Sequence, residues 1–457
     1  MPTIEGVIFT PLALYFFFKR PRLLFPLLIL STVFQASSIV SSGPVGIQPY
    51  YCIALLFVVR FLFLRGQHGE DRILSYTFAQ LWIAFAIVAI VSATVLPFVF
   101  QGIPVFDPKL TTIENVLNPA SLRFQLSNVV QPLFLVLNVL VVLVATRQAK
   151  SIDLAHRMCM RASYLVVALV FLQELFFWLG IPFPTKLLNN NPGYGVVPIN
   201  AQNLRPAGSF TEPSMAGAVL AAIVAIFLWK YFAGKSSIPK AAIAVVACLL
   251  VASSSSLLAV IIVFAIMLLS YPIVRLPWFI RIAKLKRISV FIICAGVLAL
   301  LLIIPSFRTM LLAQTLEKGG SDSAFVRLGA DLFALNLTLQ THGLGVGLGS
   351  NRPSSFVASL LSQVGVVGFA LFVSAASCTL WPLRKEHRWI GVAALGLLLS
   401  MAFGLPDLSF PFLWTLLALA AQSKAATAID ARQLRTLCES KLTASADPLV
   451  CISHTKI

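Results

Sequence analysis

Two short polar stretches hold most of the residues in this chain that could do chemistry. The first is Asn203-Leu204-Arg205-Pro206-Ala207-Gly208-Ser209-Phe210-Thr211-Glu212-Pro213-Ser214. The second is Thr341-His342-Gly343-Leu344-Gly345-Val346-Gly347-Leu348-Gly349-Ser350-Asn351-Arg352. Arg205, Arg352 and the intervening Arg327 carry guanidinium groups, whose forked donors bind phosphate through charge-assisted hydrogen bonds. Three of them converging would suit a diphosphate, held as substrate or released as leaving group. Glu212 and His342 are the candidate bases for an attacking hydroxyl. Plainer roles stand beside these. Glu212 suits the positive end of the helix that starts at Pro213, His342 can be a hydrogen-bonded loop residue, and an arginine can snorkel to lipid headgroups. Gly345, Gly347 and Gly349, with Gly208 and Ser214, are the candidate substrate-binding positions, since glycines allow close backbone approach to a ligand or tight turns. Their spacing is not the dinucleotide fingerprint, because no strand precedes it. The chain has no HExxH, GxSxG or P-loop motif and no external Asp-x-Asp pair, so no metal or other cofactor is expected.

The elements that must position these residues are apolar. Hydrophobic residues make up 59% of the chain and charged residues 11%, with a mean hydropathy of +0.92, which places it in a membrane rather than in water. Apolar runs of about 17–25 residues recur, each long enough to cross the hydrocarbon as a helix. Alternating strands of a membrane barrel are not seen, and the first apolar run precedes its basic cluster, the reverse of signal-peptide order. The net charge of +18 sits in alternate loops, at Lys19–Arg22, Arg60–Arg72, Arg147–Arg161, Lys230–Lys240, Arg275–Arg287, Arg384–Arg388 and the C-terminal tail. That is the positive-inside pattern rather than a nucleic-acid face, and no nucleic-acid partner is expected. It leaves eight basic residues outside: Lys109, Arg123, Lys186, Arg205, Arg308, Lys318, Arg327 and Arg352. The seven cysteines avoid the external loops, so no disulfide framework is expected.

The fold class is therefore all-α: a polytopic integral membrane protein of about 12–14 transmembrane helices with two motif-bearing external loops. Helices are expected over 6–18, 23–41, 45–64, 75–99, 128–146, 164–182, 214–233, 240–253, 256–274, 288–305, 353–376, 389–404 and 410–422. They form one domain over 1–423, with external segments at about 100–127, 183–213 and 306–352, and a cytoplasmic polar tail over 424–457. Within the third segment Phe325, Leu328, Leu332, Leu335 and Leu339 recur at helical spacing, an amphipathic helix lying along the outer surface. Arg327 and Asp331 share its polar side as a surface ion pair, or as an arginine held by a carboxylate and aimed into a cavity. Glu174 inside a span is a functional suspect or a boundary residue. Ser253–Ser256 permit close packing between two helices.

The residues from Arg205 to Ser214 resemble the R-x-x-G-x-F-x-E-P-S stretch of bacterial polysaccharide polymerases of the Wzy type. Gly345-Val346-Gly347-Leu348-Gly349-Ser350 is similar to that superfamily's second signature, with Arg327 upstream and Gly365 and Gly368 in the following span. The resemblance covers roughly residues 160–420. The superfamily's O-antigen ligases carry a histidine eleven residues before the Gly-x-x-Gly pair, where this chain has Ser354 followed by Ser355, and this favours the polymerase branch. Ser253–Ser256 also lack an arginine that relatives often carry. The resemblance implies a metal-independent glycosyltransferase of the bacterial inner membrane. Its substrate would be an undecaprenyl-diphosphate-linked oligosaccharide, joined into exopolysaccharide, capsule or O-antigen. Its partners would be membrane lipids and the chain-length regulator and flippase of the same pathway. An O-antigen ligase and, in another class, a lipid-linked-sugar flippase or transporter remain the alternatives.

Overall fold

A computed structural model describes residues 3–43, 45–62, 76–108, 112–193, 205–270 and 322–444. The chain is all-α and membrane-embedded, with helices α1 (Ile4–Lys19), α2 (Leu24–Ser31), α3 (Pro49–Leu62), α4 (Thr77–Val99), α5 (Thr112–Leu117), α6 (Ser127–Ala145), α7 (Ile152–Trp178) and α8 (Thr185–Leu188). These are followed by α9 (Pro213–Phe232), α10 (Ile238–Val251), α11 (Ser254–Ser270), α12 (Asp322–Gln340), α13 (Phe356–Leu380), α14 (Arg388–Gly404) and α15 (Pro411–Ala444). Among the described residues, five helical stretches are long and apolar enough to cross a membrane, and shorter apolar helices accompany them. One of the five, Ser127–Trp178, is two helices separated by the 3-10 turn Thr146–Ser151. The expected span over 288–305 lies outside the described residues. Among the described residues the strands are two minimal antiparallel hairpins, Val40–Ser42 with Val45–Ile47 and Pro104–Val105 with Ala120–Ser121.

Three boundaries depart from the hydropathy reading. The run expected over 23–41 leaves the helix after Ser31, because the polar residues that follow bond to distant segments instead. Ser38 N donates to Asn190 Oδ1 at 2.8 Å, and Ser209 Oγ donates to the Val33 carbonyl. Helix α7 begins at Ile152 rather than near 164, and α15 runs on as far as Ala444, into the expected polar tail. Hydropathy reports the thickness of hydrocarbon, whereas a helix continues past it wherever side chains still allow.

Helix α9 is the axis of the bundle. It is apolar all round and buried along nearly its whole length, as a helix surrounded by other helices must be. Small residues set its contacts. A Cβ at Gly217 would lie 2.7 Å from the Ser253 Cβ, and one at Gly396 of α14 would lie 3.1 Å from the Ala221 carbonyl oxygen. Without a hydrophobic drive between helices in lipid, such close approach supplies the packing energy. Ser256 of α11 and Ser400 of α14 share a hydrogen bond of 3.0 Å.

The two ends of α9 differ in chemistry. Toward its C-terminus, Lys230 lies over the Trp389 ring at 5.1 Å and Lys240 over Tyr164 at 5.9 Å. At that end basic side chains also satisfy the last carbonyls of helices: Lys424 Nζ donates to Cys378 O and Trp381 O beyond α13, and Arg147 Nη1 donates to Phe61 O of α3. The opposite end gathers the two polar stretches.

Candidate functional site

Glu212 is the N-cap of α9, and its carbonyl accepts from Met215 N and Ala216 N while Pro213 fills the first helical position. Its side chain does not cap the helix. The carboxylate instead accepts from Ser214 Oγ at 2.9 Å. Upstream, the backbone is held by a residue that sequence reasoning passed over. Gln173 of α7 is buried, and its Oε1 accepts from Ala207 N at 2.9 Å and Gly208 N at 2.6 Å. Gly208 has φ +61, which a side chain would strain, so the turn that delivers Phe210 into the core needs a glycine there. Glu174, one residue on from Gln173 and so about 100° further round the helix, points elsewhere and accepts from Trp178 Nε1 at 2.9 Å.

Arg205 is half-buried, and its Nε donates to Val251 O at 3.2 Å at the C-terminal end of α10. Burial holds its guanidinium below the ordinary value. The Arg327 charge pushes the same way, and the Glu212 carboxylate opposes both. Arg327 and Glu212 therefore both lie within electrostatic reach of Arg205. The serine turn adjoins them, because a Cβ at Gly404 would lie 3.1 Å from Ser255 Oγ and 3.9 Å from Arg327 Nη1. Among the described residues no protein acceptor binds the Arg327 side chain.

Helix α12 carries Arg327 in an orientation that its sequence only half announces. Phe325, Leu328, Leu332, Leu335 and Leu339 face outward, while Ala330, Ala334 and Leu337 are buried. Asp331 does not pair with Arg327 among the described residues. Its Oδ1 accepts from Ser354 N at 2.9 Å and Ser355 N at 3.0 Å, holding the start of α13, while Ser354 Oγ donates to Arg327 O at 2.9 Å.

The second polar stretch is a buried backbone path. His342 has φ +52; its N–H donates to Leu339 O at 3.0 Å, and Gly343 N donates to Thr338 O at 2.8 Å. This is the Schellman arrangement that ends a helix, with an exposed histidine in the place usually given to glycine. His342 stands about 22 Å along the helix direction from Arg327 at ~1.5 Å per residue. The glycines that follow run beside a break in α13, where Gly365 takes φ +71 and ψ −175. Carbonyls freed by the break are taken up: Val346 N donates to Ser362 O at 2.8 Å and Gly347 N to Gln363 O at 2.9 Å, while Val366 N donates to Gly343 O at 2.8 Å. A Cβ at Gly345 would lie 2.9 Å from the Gln363 carbonyl, one at Gly347 2.8 Å from Ser92 O, and one at Gly349 2.7 Å from the Ser127 carbonyl carbon. The close approach these glycines permit is to the protein's own backbone. Asn128 Nδ2 fixes the far end, donating to Leu348 O at 2.8 Å and Ser350 Oγ at 2.7 Å.

Arg352 is exposed and tied to the 100–127 segment, with Nη1 donating to Pro108 O at 3.2 Å. It also acts on Asp407, in the turn between α14 and α15. Burial pushes this carboxyl above the usual aspartate range, while a hydrogen bond from Ser409 N and the Arg352 charge pull it back. Asp407 was missed from sequence; its signal is an acid two residues before Ser409, in a short turn leading to Pro411. The structure thus brings Arg205, Glu212, Ser214 and Arg327 together, sets Arg352 with Asp407, and keeps His342 apart. Compared with protein-family models, curated proteins and solved structures, the chain gives no match.

Proposed function

We propose that the protein is a membrane glycosyltransferase that joins polyprenyl-diphosphate-linked oligosaccharide repeats into a polysaccharide. The observation that supports this most directly is the meeting of Arg205 and Arg327, beside Glu212, at one end of an apolar bundle. Two neighbouring guanidiniums suit an anion of more than one charge, and a lipid diphosphate is such an anion where lipid is the solvent. In this reading an acceptor sugar hydroxyl attacks the anomeric carbon of the donor. The bond from that carbon to the phosphate oxygen breaks, and the diphosphate leaves with the electron pair onto the two arginines. Glu212, bonded by Ser214 Oγ, takes the hydroxyl proton. The polar end then faces outward from a bacterial inner membrane, and the lysine- and arginine-rich end, with the C-terminus, faces the cytoplasm.

The test is the set of saccharides on the carrier lipid in a strain carrying Arg205→Ala or Arg327→Ala in a protein that still inserts at normal levels. Single repeats should accumulate and polymer should vanish. Long polymer left on the carrier would indicate a ligase, repeats trapped on the cytoplasmic side a flippase, and wild-type chain lengths would remove the arginines from the reaction.

A further inference from the structure

Several basic side chains near the C-terminal end of α9 have protein acceptors. Arg384 Nη1 meets Asp430 Oδ2 at 2.9 Å and Glu386 Oε1 at 3.7 Å, while Lys424 and Arg147 donate to helix carbonyls. Lys230, Lys235 and Lys240 differ. Lys235 N donates to Lys230 O at 2.7 Å, which turns the chain back at the end of α9. Lys240 follows in the first turn of α10, and no acid lies in that turn. Lys235 and Lys240 both act on the Lys230 charge, so the three ammonium groups lie within electrostatic reach of one place. Lys230 is half-buried over Trp389, Lys240 is exposed over Tyr164, and Lys235 is exposed. An aromatic face attracts an ammonium group but leaves its charge in place. Among the described residues, none of the three lysines meets a carboxylate.

We propose that Lys230, Lys235 and Lys240 form a binding site for a phosphate group whose charge no other part of its molecule offsets. An ammonium group binds phosphate as a compact point charge, and three of them surround its oxygens without needing a fixed fork. Basic pockets between helices at the end of a bundle take anionic headgroups in this way. Lipid can reach this one, because Tyr164 beneath Lys240 and Ile243, one turn along α10, are 42% and 49% exposed. An anionic phospholipid and a soluble phosphate share the chemistry. Lys230 stands about 27 Å from Glu212 along α9 at ~1.5 Å per residue, so the site is separate from the arginine pair and independent of the reaction proposed there.

The first probe is a vesicle of equal phosphatidylglycerol and phosphatidylcholine with matched chains. The full-length protein is reconstituted into it, extracted in mild detergent and weighed by native mass spectrometry. The second probe is inorganic phosphate, given to protein in detergent and compared with chloride at equal ionic strength by thermal unfolding. The wild type should retain phosphatidylglycerol several-fold over phosphatidylcholine if the source is lipid. It should gain a higher midpoint in phosphate if the source is soluble. A lysine near an anionic group is worth about a factor of five in binding. Lys235→Gln and Lys240→Gln together, both at exposed positions, should therefore remove whichever effect the wild type shows. Lys150→Gln, exposed in the turn between α6 and α7, should leave it unchanged. The proposal is overturned if the wild type shows neither effect or if the double variant keeps it. An equal loss in Lys150→Gln also overturns it, since that marks a diffuse surface charge instead of a site.

Discussion

Asp331 offers a sharp test of how the site is held. Sequence spacing makes it the partner of Arg327; the structure makes it the clamp on α13, accepting from Ser354 N and Ser355 N. Hydrogen bonds to a charged group contribute about 1.5–3 kcal/mol each. Both here fall on one oxygen, so the second adds less than the first, and Asp331→Ala should cost roughly 2–4 kcal/mol. Asp331→Asn keeps a neutral acceptor in place and should cost about half as much, since neutral bonds are worth about 0.5–1.5 kcal/mol. The assay is thermal unfolding of the purified protein in detergent, run as a double-mutant cycle with Arg327→Ala. A clamp predicts the order wild type, then Asn, then Ala, and additivity with Arg327→Ala to within about 0.5 kcal/mol. An ion pair predicts that Asn is as damaging as Ala and that the double variant loses little more than either single one. That second pattern would refute the clamp, and with it the account of why Arg327 has no acceptor among the described residues.

Other residues give further expectations. His342→Gly should relieve the left-handed backbone strain, stabilise by about 1 kcal/mol and leave polymer length unchanged; loss of polymer in a stable His342→Gly protein would restore the histidine as a base. Gly349→Ala, at φ +87 and against the Ser127 carbonyl, should cost roughly 2–5 kcal/mol through strain and overpacking, read as a lower unfolding midpoint. Asp407 holds its proton more tightly in the folded state than in the unfolded one. Stability should therefore fall as pH rises from the ordinary aspartate range through the raised folded value, and Asp407→Asn should flatten that part of the midpoint–pH profile. Glu212→Gln should abolish polymer formation while leaving the unfolding midpoint nearly unchanged, because the helix is capped by the Glu212 backbone carbonyl.

Much of the bundle is legible because hydrocarbon imposes a simple rule on the chain. The helices at Thr77–Val99, Ser127–Ala145 and Pro213–Phe232 begin and end within two residues of the apolar runs that announce them. What the rule cannot convey is the partner of each polar group. Gln173 and Glu174 look equally placed in sequence, yet the helical rotation turns the amide toward Ala207 and Gly208 and leaves the acid to Trp178. The stripe on α12 was readable from its spacing, as was the polar face opposite. That the polar side lies against α13 and the apolar side is left uncovered follows from having lipid rather than water outside. The glycines look the same in sequence whether they cradle a ligand or a neighbouring backbone, because what they require is only closeness.

The break in α13 has a consequence for how the protein is made. Within hydrocarbon an unmatched peptide group costs several kcal/mol, and the groups freed around Gly365 find their matches a short way upstream, between Gly343 and Gly347. That stretch leaves the ribosome before the span does. The broken helix therefore meets its complement as it emerges, and the pair can close as a fold-back unit without waiting for distant helices. A residue inserted between Asn351 and Phe356 would slide one strand of this unit past the other. Insertion efficiency of the span should fall sharply in such a chain, even though its apolar length and composition would be unchanged.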